Sequence, residues 1–277
     1  MNKTIKELIN NKQNNYIIKL LKIASDKIIL PLRGNLKKDQ INTKSRIDDF
    51  VTQADKMVEE FLSFELKKVL SDSVVIGEEE CSENPNLLKS LSKECLIWTC
   101  DPIDGTYNYI NMSPNFCTMV ALCFKENPIA CWLYFPTSGV AIISSISNGL
   151  YIIKDENIME IKKKYSNFSH VNITGSINLD SFFHNLYIKP FLSNFKHASA
   201  VRCAGFEAIA LSCGITNFIF HKKLTPWDHS PLCVLAKSTK NIVGLTPNCD
   251  EFKINSKGKL LVADSKKNWD YLLNQLK

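Results

Sequence analysis

The stretch Trp98-Thr99-Cys100-Asp101-Pro102-Ile103-Asp104-Gly105-Thr106-Tyr107-Asn108-Tyr109 constrains the fold of this chain more than any other. It follows an apolar run, so it predicts a buried strand over Leu96-Cys100, a bend at Pro102 and a helix opening at Gly105-Thr106. Proline fixes φ and cannot donate to a strand ladder, which places the bend. At the carboxyl end of such a strand, Asp101 and Asp104 can turn toward one point with the Ile103 carbonyl between them. These are hard oxygen donors, suited to Mg²⁺ or Mn²⁺ rather than to a thiolate-seeking ion. The free N–H groups of Gly105 and Thr106, at the positive end of the helix, would favour a phosphate. An Asp-Pro turn followed by a capped helix uses the same residues without any ligand.

Three further segments place acidic residues in similar settings. Glu78, with Glu79 and Glu80 after it, follows the apolar run Val74-Val75-Ile76 and so ends a strand. Thr225-Pro226-Trp227-Asp228-His229-Ser230-Pro231 follows Phe218-Ile219-Phe220 and precedes the helix-like Leu232-Lys237. Asp49 to Asp55 leads into an amphipathic helix with Met57, Val58, Phe61 and Leu62 on its apolar face. Singly, each acidic residue is an ordinary turn or cap. Gathered together they would repel, by roughly 4 kcal/mol per pair at ~4 Å and an effective dielectric of about 20. Divalent cations would remove that cost.

Glu78-Glu79, Asp101-Pro102-Ile103-Asp104-Gly105-Thr106 and Trp227-Asp228 resemble, in order and separation, the signature of the inositol monophosphatase family of Mg²⁺-dependent, lithium-sensitive sugar phosphatases. The resemblance runs from about Lys44 to about Lys237. It implies an αβαβα sandwich and hydrolysis of a small polyol or sugar phosphate by metal-activated water attack. It implies two or three Mg²⁺ ions, with Mn²⁺ as a substitute. Glu78, Asp101 and the Ile103 carbonyl would hold the first ion, and Asp101, Asp104 and Asp228 the second, with Glu78 also near a weaker third. Asp55 and Thr106 would orient and deprotonate the attacking water, and the Gly105 and Thr106 N–H groups would receive phosphate oxygens. Lys44 would lie near the ions and Glu79 just behind them. A homodimer is implied as well.

The alcohol side departs from the family. Gly205 keeps its place at a helix start, but Phe206 and Glu207 stand where small residues are usual. His221 stands where animal members carry a glutamate that contacts inositol, so Asp104, Gly205, Glu207 and His221 are the expected substrate contacts. An acidic Glu207 could pair with an amino group, making histidinol phosphate the rival substrate, with fructose 1,6-bisphosphate and 3′-phosphoadenosine nucleotides as further alternatives. A non-catalytic interaction protein on the same scaffold is the reading of a different class. Against it, no expected catalytic or metal-binding residue is missing.

Composition agrees. The 277 residues are 45% hydrophobic, enough for a sizeable core. Ten cysteines without metal-binding spacing predict reduced, buried thiols and a cytoplasmic protein. Neither a signal core nor an apolar stretch of ~20 residues is evident, so no membrane partner is expected. Net charge is +6, but only Arg33, Arg46 and Arg202 are arginines, and the lysine clusters are short, so no nucleic acid is expected.

Periodicity predicts helices over Ile5-Ile9, Ile17-Ile29 (ending at Pro31) and Asp49-Leu70, and strands over Val74-Ile76, Leu96-Thr99, Thr118-Phe124, Ala130-Phe135 and Gly139-Ser144. That meander makes the first sheet largely antiparallel. The second half alternates: strand near Val171-Ile173, helix near Leu179-Lys189, strand near Ala198-Val201, helix near Phe206-Cys213, strand near Asn217-Phe220 and helix from about Ser230. The expected class is therefore α/β, a layered α+β chain, with an N-terminal half at 1–150 carrying most metal ligands. A C-terminal half at 151–277 would supply Asp228 and the pocket wall.

Overall fold

The computed structural model describes residues 10–44, 49–89, 95–155, 157–162, 174–178, 197–199 and 201–275. The helices expected over Ile5-Ile9 and Leu179-Lys189 and the strand expected over Val171-Ile173 lie outside them.

Helix α1 (Asn11–Ala24) starts where the Asn10 side chain accepts the Gln13 N–H at 3.0 Å and Gln13 answers with its own side chain. Ile17, Leu20, Leu21 and Ala24 are its buried stripe, spaced as one helix face requires. The helix does not end before Pro31. A π-type turn over Ser25–Ile29, closed by Leu30 N–H to Ser25 O, widens the backbone ahead of the proline ring, and helix continues through Leu30–Leu32.

The short strands β1 (Ile41–Thr43) and β2 (Phe50–Thr52) pair antiparallel. Helix α2 (Gln53–Val69) therefore begins four residues later than the apolar pattern predicts. Phe50 and Val51 suit the strand, and Thr52 breaks it by capping the helix, accepting from Ala54 N–H and Asp55 N–H.

The central layer is a seven-stranded sheet in sequential order: β3 (Ser73–Gly77), β4 (Leu96–Asp104), β5 (Cys117–Phe124), β6 (Asn127–Phe135), β7 (Val140–Ser145), β8 (Gly149–Lys154) and β9 (Asn157–Ile161). Within this sheet, among the described residues, only β3 and β4 pair in parallel. Strand β4 does not stop at Pro102 but runs to Asp104, with a register shift between Asp101 and Asp104. Pairing with β3 ends at Cys100, so Pro102 follows the last β3 partner, and its carbonyl accepts the Thr118 hydroxyl from β5. The strands β8 and β9 carry short patterns, half-buried in β8 and almost wholly exposed in β9, that periodicity did not distinguish from loop.

A second sheet has the order β11 (His197–Ser199), β10 (Thr174–Asn178), β12 (Phe218–His221), β14 (Lys259–Ala263) and β13 (Ile242–Thr246), parallel across the first three and antiparallel after. Short helices α3 (Glu78–Glu83) and α4 (Thr106–Ile110) follow β3 and β4; α5 (Ala204–Ser212), α6 (Pro226–Ser238) and α7 (Lys266–Gln275) belong to the second half. Helix α6 starts at Pro226 rather than near Ser230, because a proline at the first helical position gives up an N–H that would be unpaired anyway. Pro231 is accommodated inside it.

Burial resolves the layers. On β5, Val120 and Leu122 join α1 and α2 in one core, while Cys117, Met119 and Ala121 join α5 and α6 in another. Both faces of the sheet are thus covered, which is why β5 reads as continuously apolar. Ile219, Leu260 and Val262 of the second sheet face the α5/α6 layer, whereas Phe218, Phe220, Leu261 and Ala263 face Trp269 and Leu272 of α7. The result is the five-layer αβαβα sandwich, each fully buried Leu, Ile or Phe contributing about 1.5–3 kcal/mol. No described helix is long and apolar enough to cross a membrane.

Candidate active site

The acidic residues singled out by sequence meet at the ends of four elements. Asp101 and Asp104 close β4, Asp228 sits in the first turn of α6, and one carboxylate oxygen from each lies within 4.8 Å of the others. Glu78 opens α3 outside that group, but close enough for the Asp228 charge to act on it. Asp55 lies in the first turn of α2, 1% exposed.

Three of these carboxylates, those of Asp104, Asp228 and Asp55, are held from behind. Asp104 Oδ1 accepts the Ala204 N–H at 3.1 Å; Oδ2 accepts the Gly205 N–H at 2.7 Å and the Cys203 thiol at 3.0 Å. Asp104 thus occupies the N-terminus of α5, where free N–H groups stabilise an anion. A Cβ at Gly205 would lie 2.4 Å from Cys117 Sγ, so only glycine brings that N–H so close to the sheet. Asp228 Oδ2 accepts the Thr225 hydroxyl at 2.7 Å. Asp55 Oδ2 accepts the Thr52 N–H at 2.7 Å and the Thr52 hydroxyl, leaving Oδ1 to face the Thr106 hydroxyl at 3.2 Å. That same hydroxyl lies 3.0 Å from the Ile103 carbonyl. Gly105, at φ +89°, makes the turn between β4 and α4, with the Arg202 and Asn115 carbonyls 3.0 Å from where a Cβ would stand.

Lys44 bridges the glutamates, its Nζ 2.7 Å from Glu78 Oε1 and 2.8 Å from Glu79 Oε1. Burial opposes its charge, but the two carboxylates outweigh burial and raise its pKa. Glu59 is a site residue that the sequence pattern did not reveal. It reaches from α2 to cap α3, accepting the Glu79 and Glu80 N–H groups at 2.8 Å each. Its carboxyl carbon is 2.0 Å from where a Cβ on Gly77 would lie. Gly77→Ala should therefore displace the Glu59 cap and lower stability by about 1–3 kcal/mol, read as a lower Tm; an unchanged Tm would remove Glu59 as the anchor of α3.

The electrostatics are those of crowded anions. Burial, then the charges of Glu78, Asp104 and Asp228, push Asp101 well above the usual carboxylate range. Burial and the Asp228 charge bring Asp104 up to about 7, against the opposing hydrogen bonds from α5. Glu79 also rises to about 7, chiefly through burial. Asp101 Oδ1 is buried without a hydrogen-bond partner among the described residues. An all-oxygen donor set with a bare buried carboxylate oxygen fits a hard divalent cation.

Glu207 and His221, expected at the pocket wall, face each other, with Glu207 Oε2 2.6 Å from His221 Nε2. They are 3% and 2% exposed. His221 Nδ1 lies 3.0 Å from His229 Nε2, and His229 and Thr225 are further residues that sequence did not single out. All ten cysteines are free, and seven are buried.

A model of the inositol monophosphatase family matches residues 12–275. The chain is 26% identical over 273 residues to a fructose-1,6-bisphosphatase/inositol-1-monophosphatase of Aquifex aeolicus, covering 97% of each chain. It is 23% identical over 247 residues to the Nus factor SuhB of Xylella fastidiosa, covering 88% of this chain and 86% of that one. Among solved structures it is similar in fold to an IMPase/NADP phosphatase complexed with Mg²⁺ and phosphate, with TM-score 0.81, 16% identity, and coverage of 96% and 95%. With this coverage and the αβαβα layering, the chain belongs to the inositol monophosphatase family and is a phosphatase of phosphate monoesters.

Proposed function

We propose that this chain is a Mg²⁺-dependent phosphomonoesterase acting on a small phosphorylated polyol or sugar of the inositol 1-phosphate type. The observation that carries the reading is the bare, buried Asp101 Oδ1 inside the Asp101/Asp104/Asp228 group, beside the Asp55/Thr106 pair. Glu78, Asp101 and the Ile103 carbonyl would hold one ion, and Asp101, Asp104 and Asp228 a second, with Glu78 near a third; Mn²⁺ would substitute for Mg²⁺. Bound there, the cations would acidify the attacking water and stabilise the leaving alkoxide.

The chain's own residues supply positioning and proton transfer. Thr52 occupies Asp55 Oδ2, so Oδ1 is the atom that takes a proton, through the Thr106 hydroxyl. Burial raises the proton affinity of Asp55 against the Thr52 hydrogen bonds, as a general base requires. The backbone N–H groups of Gly105 and Thr106 receive phosphate oxygens, Asp104 and Gly205 line the alcohol side, and Glu207 and His221 shape that wall from beneath its surface. Lys44 holds Glu78 and Glu79 in place. The chain would work as a homodimer of cytoplasmic protein, with halves meeting at the site near 1–150 and 151–277.

A panel of inositol 1-phosphate, fructose 1,6-bisphosphate, histidinol phosphate and 3′-phosphoadenosine nucleotides tests this reading. Mg²⁺-dependent phosphate release is expected, greatest with the inositol ester; preference for histidinol phosphate would move the substrate to an amino alcohol, and no release from any ester would refute the enzyme assignment. Similarity to the Xylella Nus factor favours a second, interaction role. That role would persist in a catalytically silent Asp101→Asn protein.

A further inference from the structure

Three ionisable side chains lie in the second half, 3%, 2% and 1% exposed: Glu207 on α5, His221 at the end of β12 and His229 in the first turn of α6. Burying such groups is costly unless every polar atom is paired. Here the pairing is continuous. Glu207 Oε1 accepts the Val201 N–H at 3.3 Å, and Oε2 is 2.6 Å from His221 Nε2. His221 Nδ1 is 3.0 Å from His229 Nε2, the rings meeting edge to face at 85°. His229 Nδ1 is 3.1 Å from the Thr225 N and 3.0 Å from the Thr225 carbonyl oxygen, so either tautomer of His229 bonds the Thr225 backbone. Thr225 Oγ1 in turn donates to Asp228 Oδ2 at 2.7 Å.

The ring nitrogens are paired throughout in either of two proton assignments. In one, the Thr225 N–H donates to His229 Nδ1, His229 Nε2–H to His221 Nδ1 and His221 Nε2–H to the Glu207 carboxylate; in the other, His229 Nδ1–H donates to the Thr225 carbonyl and a doubly protonated His221 donates to His229 Nε2 and to Glu207. In both, the chain ends on the backbone of the residue whose hydroxyl holds Asp228. Asp228 needs such a hold. It must stand beside Asp101 and Asp104, which repel it, and the Thr225 hydroxyl at the N-cap position of its helix is turned to Asp228 and not to the helix N–H groups.

We propose that Glu207, His221 and His229 are positioning residues for the cation site: a buried hydrogen-bonded relay that fixes the Thr225 turn and, through Thr225 Oγ1, the Asp228 carboxylate. The proposal rests on the reading of Asp228 as a cation ligand. Apolar side chains of similar volume could fill the same space, but they could not fix the Thr225 backbone by hydrogen bonding. Groups standing behind a ligand in this way typically change metal affinity by about 10–100-fold when removed.

The test is Mn²⁺ affinity of the full chain, followed by electron paramagnetic resonance of free Mn²⁺, for the wild type, Asp228→Asn, Thr225→Val, His221→Phe and the His221→Phe/Thr225→Val double variant. Asp228→Asn should lose a bound equivalent; if it keeps both number and affinity, the ligand reading itself fails. Given that loss, His221→Phe and Thr225→Val should each weaken Mn²⁺ by about tenfold, and the double variant should bind no more weakly than Thr225→Val alone. Wild-type affinity in His221→Phe, or losses that multiply in the double variant, would overturn the relay while leaving Asp228 a ligand. Should His221→Phe fail to fold, ¹⁵N spectra of the histidine rings in the metal-free wild type decide. A His229 ring fixed in a single tautomer supports the relay, and an exchange-averaged His229 ring refutes it.

Discussion

Asp101→Asn is expected to abolish Mg²⁺-dependent phosphate release while leaving a folded chain that, without metal at pH 7, is more stable than the wild type. The carboxylate is 2% exposed, one oxygen has no partner, and burial with the charges of Glu78, Asp104 and Asp228 raises its pKa well above the ordinary range. An amide of the same shape removes that charge from the cluster and with it the repulsion felt by three neighbours. The same change removes the oxygen donor shared by both proposed ion positions. Activity should fall by more than about 100-fold, the upper end of what losing a residue behind the ligands costs. Phosphate release and thermal unfolding in EDTA measure the two halves of the prediction. Near-normal turnover would end the metal assignment; a lower Tm in EDTA would show that Asp101 supports the fold and is not strained in it.

Local sequence context decides which parts of this site could be read from sequence. Asp55 and Asp228 were legible through the family resemblance, in segments that lead into helices; each proves to be the fourth residue of a Thr-x-x-Asp start, at α2 and α6, where the threonine hydroxyl bonds the carboxylate. Asp101 and Asp104 were legible because they end a continuously apolar strand. Glu59 was not, because a glutamate in an amphipathic helix has the pattern of a solvated face, and its target at the start of α3 is 20 residues away. His229 was hidden for a related reason: it gains its meaning from His221 and Glu207, which lie 8 and 22 residues upstream on other elements. Periodicity recovered the layering but misjudged boundaries at prolines. It ended β4 and the helical turns that follow α1 too early and began α6 too late, because a proline interrupts an element only where its missing N–H had a partner.

Metal removal is expected to make stability fall as pH rises from about 4 to about 7. A carboxyl whose pKa is raised by folding holds its proton more tightly in the folded chain. Its contribution to stability is therefore complete below the unfolded carboxyl pKa of ~4 and is lost as pH climbs toward the folded value. For Asp104 and Glu79 that value is about 7, and Asp101 and Glu78 are displaced in the same direction. Lys44 offsets part of the cost at Glu78 and Glu79 by direct contact, so the loss should come mostly from the aspartates of β4. Groups this buried contribute a few kcal/mol in total, which for a chain of this size is a Tm drop of about 5–10 °C. Mg²⁺ binds the ionised carboxylates and not the protonated ones, so its stabilisation should grow across the same interval and flatten the profile. Thermal unfolding from pH 4 to pH 8, in EDTA and in saturating Mg²⁺, measures both curves. A flat EDTA profile would mean that the carboxylates ionise freely side by side, and the case for a cation among them would lose its physical basis.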